Sequence, residues 1–305
     1  METKLVSVII PCFNAERWIG EAIDSCLRQT YPHLQIIVID DGSTDQSLEI
    51  IQSFLGAITW ETGVNRGGNY ARNRGFALAQ GNYIQYLDGD DYFLPNKIAK
   101  QMRFLTQHQV DIVYGDVRYQ YHLPEGVISQ KNAEFPGIAG AHEDFLESLL
   151  AYGCLPPMAY LLRREAIVHS PGWDETLPAA QDRDFFISLM LSNPHLRVKH
   201  QPSDDSIYRR YGNVTVSTAS NPRLVKSFCR VLAKAECNLQ KSDRLSRRYL
   251  KALATSYYDL SQTYKQDISF SLYQYMIKKY LALISRFWLK KLEPLALVLV
   301  QLINS

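Results

Sequence analysis

The sequence predicts an α/β protein with a mostly parallel sheet flanked by helices on both faces. Two observations predict this class: short apolar runs alternate with segments of helical periodicity between Val6 and Leu87, and the links between them are short. Parallel strands need such crossovers, because a tight turn cannot join them. The chain has 305 residues, 46% hydrophobic and 21% charged. This composition is that of a globular protein and excludes a disordered chain.

Four strands are expected in this part of the chain, and the first two are expected to be buried, since each of those two is a short apolar run. They are Val6–Ile10, Gln35–Ile39, Ile58–Trp60 and Tyr83–Leu87. The first helix is expected at Trp18–Leu27, where apolar residues recur at helical spacing, with Asn14 as its cap. Ser43 and Gln46 form a capping-box pattern before the second helix. The third helix is expected at Asn69–Gln80.

The pattern is less regular beyond residue 110. Two further strands and two further helices are expected there. They are strands Asp111–Tyr114 and Met158–Leu162, and helices Phe145–Leu150 and Arg183–Leu191. After Pro222 the chain is helical in character to its end. We therefore predict two domains, an α/β domain over residues 1–222 and an α-helical C-terminal extension over residues 223–305.

The charges are divided unequally between these two parts. Residues 1–222 hold 18 Lys/Arg and 26 Asp/Glu, which gives a net charge of −8. Residues 223–305 hold 15 Lys/Arg and 5 Asp/Glu, which gives a net charge of +10. Basic helices with aromatic and Leu-rich faces can lie on an anionic membrane surface. The alternative is a helical subdomain that packs on the α/β domain or on a second copy. Nucleic acid is not expected as a partner, because no recognition motif is present.

The cysteines and the first five residues are used to predict the cellular compartment. The five cysteines are odd in number and form no CxxC pair, which argues against a disulfide framework or a zinc site. Met1–Leu5 carries Glu2 and Lys4 and leads into a strand, so no signal peptide is expected. The longest apolar stretch, Pro294–Ile303, is too short to span a bilayer. We expect a cytoplasmic protein, either dissolved or peripheral on the inner face of the plasma membrane.

Acidic residues follow two of the expected strands. Asp40 and Asp41 follow the second strand, and Asp88, Asp90 and Asp91 follow the fourth. Ligands of parallel sheets bind beyond the carboxyl ends of the strands. Two carboxylates two residues apart can converge on a hard divalent cation, which can bridge phosphate oxygens. The alternatives are a solvated acidic turn for the later group and a capped helix start for the earlier one.

Two further segments are candidates for chemistry. Asn65–Asn73 mixes glycines with cations, which is typical of an anion-binding loop at a helix N-terminus, or of a flexible loop before a solvated basic helix. Asp182 opens a helix and is either a general base or a helix cap. Neither GxGxxG after the first strand nor GxxxxGK[ST] occurs, which disfavours dinucleotide oxidoreductases and P-loop NTPases.

In their order along the chain, these segments resemble the motifs of family 2 glycosyltransferases of the GT-A fold. The matching segments are Val6–Asn14, Val38–Asp45, Asn65–Gly75, Leu87–Asp91, Gly172–Glu175, Gln181–Asp182, Tyr208–Arg210 and Asn213–Ser217. The resemblance covers about residues 5–217 and is specific as an ensemble. It implies a GT-A nucleotide-binding domain followed by the basic helical extension.

The resemblance also implies an activity. The chain would be an inverting enzyme that moves a sugar from a nucleotide diphosphate donor, most often a UDP-sugar, to a glycan or lipid-linked acceptor with Mn²⁺ or Mg²⁺. Asp182 would be the base and Asp90 the metal ligand, while Asp41 would contact uracil and Asp88 the ribose or diphosphate. The remaining implied contacts are Pro11, Phe13, Asn14, Arg66 and Arg72 for the nucleotide, Arg210 and Tyr211 for the diphosphate, and Trp173 and Gln181 on the acceptor side.

The chain departs from the family pattern at two positions. Gln181 stands where the family commonly has Glu, and Tyr211 stands where it often has His. Two alternative functions stay open at this point: a non-catalytic sugar-nucleotide or glycan-binding module, and a metal-dependent nucleotidyltransferase. The sequence names neither the sugar, the acceptor nor the oligomeric state.

Overall fold

The structure, a computed structural model, describes residues 4–122, 128–133, 142–211 and 222–303. The chain forms two compact units, each built from several stretches of sequence. The first unit comes from Met1–Phe145, Leu155–Thr176 and Ser188–Thr215, and the second from Leu146–Cys154, Leu177–Ile187 and Val216–Ser305. The second unit thus draws on two stretches upstream of residue 222, and the domain boundary at that residue stays a prediction. The motif predicted at Asn213–Ser217 lies outside the described residues.

Eleven strands are present in the described residues, all of them in the first unit. In chain order they are β1 (Val6–Cys12), β2 (Leu34–Asp40), β3 (Thr59–Thr62), β4 (Tyr83–Tyr86), β5 (Tyr92–Phe93), β6 (Ile112–Tyr114), β7 (Val117–His122), β8 (Ile128–Ala133), β9 (Tyr160–Arg163), β10 (Val198–His200) and β11 (Ser206–Tyr211). Seven form one sheet in the order β10-β6-β9-β4-β1-β2-β3, in which β9 runs antiparallel to both neighbours and the other pairs are parallel. This confirms the predicted sheet.

Ten α-helices connect and follow these strands in the described residues. They are α1 (Ile19–Leu27), α2 (Ser47–Ser53), α3 (Gly68–Leu78), α4 (Lys97–His108), α5 (His142–Ala151), α6 (Arg164–Val168), α7 (Gln181–Ser192), α8 (Pro222–Lys241), α9 (Arg247–Thr263) and α10 (Phe270–Ile303). The predicted helical character of the chain after Pro222 is confirmed. None of the helices in the described part of the chain combines the length and apolarity that a bilayer span requires.

The core of the first unit explains why β1 is so apolar. Val6, Val8 and Ile10 are fully buried on one face, and Ile9 is fully buried on the other. A strand covered by helices on both faces reads as a continuous apolar run rather than an alternating one. Because β1 pairs in parallel with both β2 and β4, the carboxyl ends of these three strands lie side by side at one edge of the sheet.

Both predicted helix caps are wrong. α1 begins after Trp18 and α2 after Gln46, and neither of these N-cap residues accepts a side-chain cap hydrogen bond. Asn14 instead accepts a hydrogen bond on Oδ1 from the Thr44 amide at 2.8 Å, and its own amide donates to Ser43 Oγ at 3.0 Å. Asn14 and Ser43 thus join two loops at the sheet edge rather than capping helices. The backbone N–H groups of these loops also need hydrogen-bond acceptors, and the two side chains provide them.

A second sheet was not expected from the sequence. It has the order β5-β11-β7-β8, with β11 parallel to β7 and antiparallel to β5. Its strands β7 and β11 mix buried and half-buried residues and are rich in Tyr, Arg and Gln. They lack the continuous apolar runs by which the strands of the large sheet were recognised. Strand β11 contacts the Asp88–Asp91 turn through Arg209 and Tyr211.

The second unit is helical and has a core of its own. Leu232 on α8, and Leu250, Leu253 and Tyr257 on α9, are buried completely or to within 1%. Glu236 on α8 accepts hydrogen bonds from Lys279 at 3.0 Å and from Arg286 at 2.6 Å, both on α10. Several apolar and basic residues of the predicted extension therefore serve packing inside this unit.

Candidate functional site

An open pocket of about 220 Å³ lies in the first unit, at the carboxyl ends of β1, β2 and β4. Its walls are the β1–α1 turn, Asp41, the first turn of α3, the Asp88–Asp90 turn and Tyr211. Eight of the residues implied by the family resemblance line it, namely Pro11, Phe13, Asn14, Asp41, Arg72, Asp88, Asp90 and Tyr211. Ligand pockets commonly measure ~300–1,000 Å³, so this cavity suits one part of a large ligand.

The predicted anion-binding loop already holds an anion, and the anion is Asp41. Its Oδ1 accepts from the Arg66 amide at 2.8 Å and its Oδ2 from the Gly67 amide at 2.7 Å. Gly67 has a φ of +95°, a conformation that favours glycine. Asp41 is 3% exposed and thus fixes the loop before α3 against the end of β2. Each of its oxygens has a second lone pair for a ligand in the pocket.

Arg72 on α3 is held between a carboxylate and an aromatic ring. Its Nη2 lies 2.6 Å from Asp88 Oδ1, and its guanidinium carbon lies 4.6 Å from the centroid of the Trp173 ring. The backbone of Trp173 is fixed by Asn73, which accepts from its amide at 3.0 Å and donates to its carbonyl at 2.9 Å. The Gly172–Glu175 segment therefore supports the wall of the pocket from behind.

Asp90 is held from strand β11. The Tyr211 hydroxyl donates to Asp90 Oδ2 at 2.9 Å, and Arg209 Nη1 donates to the Asp90 carbonyl at 2.8 Å. The Arg209 amide also donates to Asp91 Oδ1 at 2.8 Å. Because three bonds converge on two residues, the turn after β4 is fixed by the second sheet as well as the first.

The electrostatics of this turn favour added positive charge. Burial, followed by the charge of Asp88, raises the pKa of the Asp90 carboxyl above its ordinary value. Burial also raises the pKa of Asp91, with the charges of Asp90 and Asp88 next in size. Asp91 Oδ2 is buried without a hydrogen-bond partner in the described part of the chain. Carboxylates crowded in this way are stabilised by a nearby cation.

These residues fit a divalent cation that is shared with a ligand. Within residues 4–122, 128–133, 142–211 and 222–303, no group of three or more His, Cys, Asp or Glu side chains could hold a metal by itself. Asp88 and Asp90 both line the pocket, and Mg²⁺ commonly binds through one or two carboxylates together with substrate phosphates. Asp90 and Asp88 would hold such an ion, and phosphate oxygens and water would complete its shell.

Phe13 is one of two aromatic residues among the described residues that line the pocket, beside Tyr211. It follows β1 directly and is 50% exposed, which is unusual for a phenylalanine beside a buried sheet. The neighbouring Cys12 and Ala15 also line the pocket. An exposed ring at a polar pocket offers a flat apolar surface for a ligand base, because every nucleobase has a face that stacks on an aromatic ring.

Three predicted residues of the first unit do not line the pocket. The Arg66 guanidinium stacks on Tyr70 at 3.7 Å, and that of Arg210 lies 5.0 Å from the Tyr119 centroid. Alternation along β11 explains the position of Arg210, since residues 209 and 211 share the face that meets the Asp88–Asp91 turn. Trp173 is 2% exposed, so a direct contact with an acceptor has little surface to use.

The predicted base and its neighbours lie in the second unit, in the first turn of α7. Arg183 is buried and donates to the carbonyls of Leu149 and Leu150 and to Ser256 Oγ. Asp184 is 2% exposed and pairs with Lys234 at 2.8 Å. Asp182 is half-buried. The Gln181 side chain donates to the Leu177 carbonyl at 3.1 Å, which anchors the start of the helix.

Sequence reasoning missed Arg209 and Asn73. Arg209 was passed over for Arg210, although the two differ only in which face of β11 they occupy. Asn73 lies four residues after Asn69, and both donate to the Trp173–Asp174 backbone. The i, i+4 spacing of two asparagines on one helix face was the available signal.

Solved structures of other proteins have a similar fold. TarS 1-349 of S. aureus in complex with UDP-GlcNAc superposes with a TM-score of 0.69 at 19% identity, over 93% of this chain and 80% of that chain. Mannosyltransferase PcManGT from Pyrobaculum calidifontis, in complex with GDP-Man and Mn²⁺, gives 0.55 at 15% identity, over 96% of this chain and 88% of that chain. At these identities the likeness shows the fold.

Relatives closer in sequence match about two fifths of the chain. An uncharacterized glycosyltransferase from Haemophilus influenzae is 39% identical over 123 residues, which is 39% of this chain and 49% of that protein. Glycosyltransferase GlyG from Streptococcus pneumoniae is 34% identical over 128 residues, 41% of this chain and 42% of that protein. The matches thus span less than half the length of these relatives. Residues 7–167, more than half of the chain, match the family Glycosyl transferase family 2. The chain therefore belongs to glycosyl transferase family 2.

Proposed function

We propose that this protein is an inverting, metal-dependent glycosyltransferase that moves a sugar from a UDP-sugar to a hydroxyl of a glycan or lipid-linked acceptor. One observation carries the proposal: a single pocket brings together an exposed ring, an arginine and three carboxylates at the ends of three strands. Family membership supports the reaction class. The residues proposed to contact the nucleotide include Asp41, Phe13 and Asp88, and all three line that pocket.

Recognition of the nucleotide base is assigned to Phe13 and Asp41. The ring of Phe13 would stack on the base, and Asp41 would accept a hydrogen bond from the imide N–H of uracil. TarS, which has a similar fold, holds UDP-GlcNAc, and this supports uridine. PcManGT holds GDP-Man, so guanosine is the competitor that an experiment has to separate.

Catalysis is assigned to Asp182 as general base. It would take the proton of the acceptor hydroxyl while the acceptor oxygen attacks C1 of the sugar and the bond from C1 to the diphosphate breaks, which inverts the configuration. The other carboxylate of this turn, the buried Asp184, forms an ion pair with Lys234 and therefore has a structural role. A divalent cation at Asp90 and Asp88, when bound, neutralises charge on the departing diphosphate. Arg72 holds Asp88 in place for this task.

A thermal-shift panel tests the donor site. The nucleotides UDP, GDP, dTDP and CMP are each added with and without Mn²⁺ to the wild type, to Asp90→Ala and to the exposed control Asp259→Ala on α9. A ligand at about 100 times its Kd should stabilise the protein by about 2.7 kcal/mol. We expect a UDP shift that Mn²⁺ enlarges, and we expect this enlargement to be lost only in Asp90→Ala. A shift with GDP or dTDP in place of UDP would contradict the uridine assignment. No shift with any nucleotide would overturn the donor site and favour a glycan-binding module.

A second experiment tests the base. Asp182→Asn should keep the nucleotide shift and lose transfer by ~10²–10⁴-fold, the usual contribution of a general base. The product also separates the reaction class, because a glycosyltransferase releases a nucleoside diphosphate from a sugar donor. Pyrophosphate released from a nucleoside triphosphate would identify a nucleotidyltransferase instead. Equal transfer rates in wild type and Asp182→Asn would remove Asp182 from the mechanism.

We also propose that the basic extension holds the enzyme on the anionic, cytoplasmic face of a membrane. On α10, Leu281 is 57% and Trp288 51% exposed, with exposed Lys278 on the same helix. Tryptophan, leucine and lysine together are typical of helices that lie in the interface. The protein should sediment with phosphatidylserine vesicles and not with neutral ones, and Trp288→Ala should weaken the binding. Equal recovery from both kinds of vesicle would contradict the proposal.

A further inference from the structure

Strand β11 presents two side chains to the turn that carries Asp90. Residues 209 and 211 point to the same face of the strand, whereas Arg210 points to the other. The Tyr211 hydroxyl lies 2.9 Å from Asp90 Oδ2, and Arg209 Nη1 lies 2.8 Å from the Asp90 carbonyl oxygen. The backbone and the side chain of Asp90 are thus each fixed by a separate residue of the second sheet.

Arg209, which holds the Asp90 carbonyl, is itself immobilised by its neighbours. Its guanidinium lies 4.5 Å from the centroid of Trp18 and 4.3 Å from that of Tyr92, and it pairs with Glu21 on α1. Arg209 is 3% exposed. A planar cation enclosed by two rings and two acceptors has little freedom to move. The carbonyl of Asp90 is therefore anchored independently of any ligand.

The hydrogen bond from the Tyr211 hydroxyl sets the orientation of the Asp90 carboxylate. With Oδ2 held by the hydroxyl, the carboxylate cannot rotate freely, and the other oxygen is the one left for a ligand in the pocket. Tyr211 itself is kept in place by the side of Trp18, with ring centroids 5.7 Å apart. Asp88 is turned in a comparable way by Arg72, whose Nη2 holds its Oδ1.

We infer that Tyr211 is a positioning residue for the cation site: its hydroxyl orients Asp90 so that one carboxylate oxygen is preset to bind the divalent ion. The inference rests on the proposed function and adds a residue to it, since the resemblance assigned Tyr211 to the diphosphate. Groups that orient the ligands of a metal typically contribute ~10–100-fold to metal affinity. The effect should be specific to the metal, because Tyr211 acts through Asp90.

The test is a Mn²⁺ titration of Tyr211→Phe in the presence of saturating UDP, followed by the electron paramagnetic resonance signal of free Mn²⁺. The substitution removes one hydroxyl and leaves the ring that packs on Trp18. The matched control is Tyr121→Phe, a tyrosine of the adjacent strand β7 whose ring lies beside Tyr119. UDP affinity without metal and the melting temperature are measured on all three proteins.

We expect the Kd for Mn²⁺ to rise about tenfold or more in Tyr211→Phe, with metal-free UDP affinity and melting temperature unchanged. Tyr121→Phe should match the wild type. A Mn²⁺ affinity of Tyr211→Phe within about twofold of the wild type would overturn the inference and leave the proposed function standing. Equal losses of Mn²⁺ and metal-free UDP affinity would also overturn it, in favour of a direct nucleotide contact. A wild type that binds neither ligand would overturn the proposed function and the inference together.

Discussion

Nη2 of Arg72 lies 2.6 Å from Oδ1 of Asp88, and the arginine is 7% exposed while the carboxylate reaches the pocket. The same guanidinium stacks on the buried ring of Trp173. One residue therefore joins helix α3, the Gly172–Glu175 segment and the turn after β4. A guanidinium held in this way orients Asp88 before any ligand arrives, which is how a site avoids reorganising on binding.

Arg72→Lys should weaken binding of UDP with Mn²⁺ by about tenfold or more. Lysine keeps the positive charge but has neither the planar face that stacks on Trp173 nor an edge that fits the carboxylate. A hydrogen bond to a charged group contributes ~1.5–3 kcal/mol, and ~1.4 kcal/mol corresponds to tenfold in affinity. Isothermal titration calorimetry measures the change. Arg103→Lys on α4, an exposed position, is the control, and an affinity of Arg72→Lys equal to that of the control would refute the positioning role.

Gly75→Ala should destabilise the protein by ~1–3 kcal/mol. In an exposed helix the change would stabilise by up to ~1 kcal/mol, because alanine has the higher helix propensity. In α3, however, a Cβ on Gly75 would lie 2.3 Å from Cγ2 of the fully buried Ile9. Urea denaturation measures the difference. Gly63→Ala is the matched control, since no atom lies within 4 Å of its added Cβ, and equal stability of the two variants would contradict this packing.

The parts of the fold that the sequence could predict are those with a single dominant signal. β1, β2 and β4 are buried on both faces and read as apolar runs, so their ends and the acidic residues there could be located. The pocket followed from that, because the carboxyl ends of neighbouring parallel strands lie at one edge. Eight residues named from the sequence do line one pocket.

What the sequence could not predict depends on contacts between distant segments. β7 and β11 mix polar and apolar residues without a regular period, and nothing local indicates that they pair with each other. Arg209 and Arg210 are adjacent and chemically identical, so only the register of β11 decides which one meets Asp90. Asn14 and Ser43 have side chains that commonly cap helices. In the structure, however, each of them forms hydrogen bonds with the loop that contains the other.

The cysteines should differ sharply in reactivity. Burial raises the pKa of Cys12 to about 12 and that of Cys229 to about 11, whereas Cys237 is exposed. Because the thiolate is the nucleophile, a thiol with such a pKa is almost entirely protonated near pH 8. Iodoacetamide should therefore modify Cys237 in the native protein well before Cys12, as read by peptide mass spectrometry. Denatured protein serves as the control, in which both react alike. Comparable native rates would show that Cys12 is not enclosed.

Lys97 should make stability depend on pH in the alkaline range. It is 1% exposed, its Nζ donates to the fully buried Gln85, and it lies 4.4 Å from the centroid of Phe93. Burial holds the pKa of Lys97 well below its ordinary value of 10.5. Unfolding therefore takes up a proton at any pH between the folded and the unfolded pKa. The free energy of unfolding should rise with pH through this window by up to ~1.4 kcal/mol per pH unit, and level off above the unfolded pKa.

The comparison of wild type with Lys97→Met isolates this effect, because other titrating groups are common to both. Between about pH 8 and about pH 9.5, the wild type should gain stability relative to the variant, by at most ~1.4 kcal/mol per pH unit. Methionine cannot titrate and suits a buried site, so the variant itself should not show the rise. Lys226→Met on α8, where the lysine is exposed, should follow the wild type at both values. If the gap between wild type and Lys97→Met stays constant with pH, Lys97 is charged in the folded protein and the core around Gln85 must accommodate an ammonium ion.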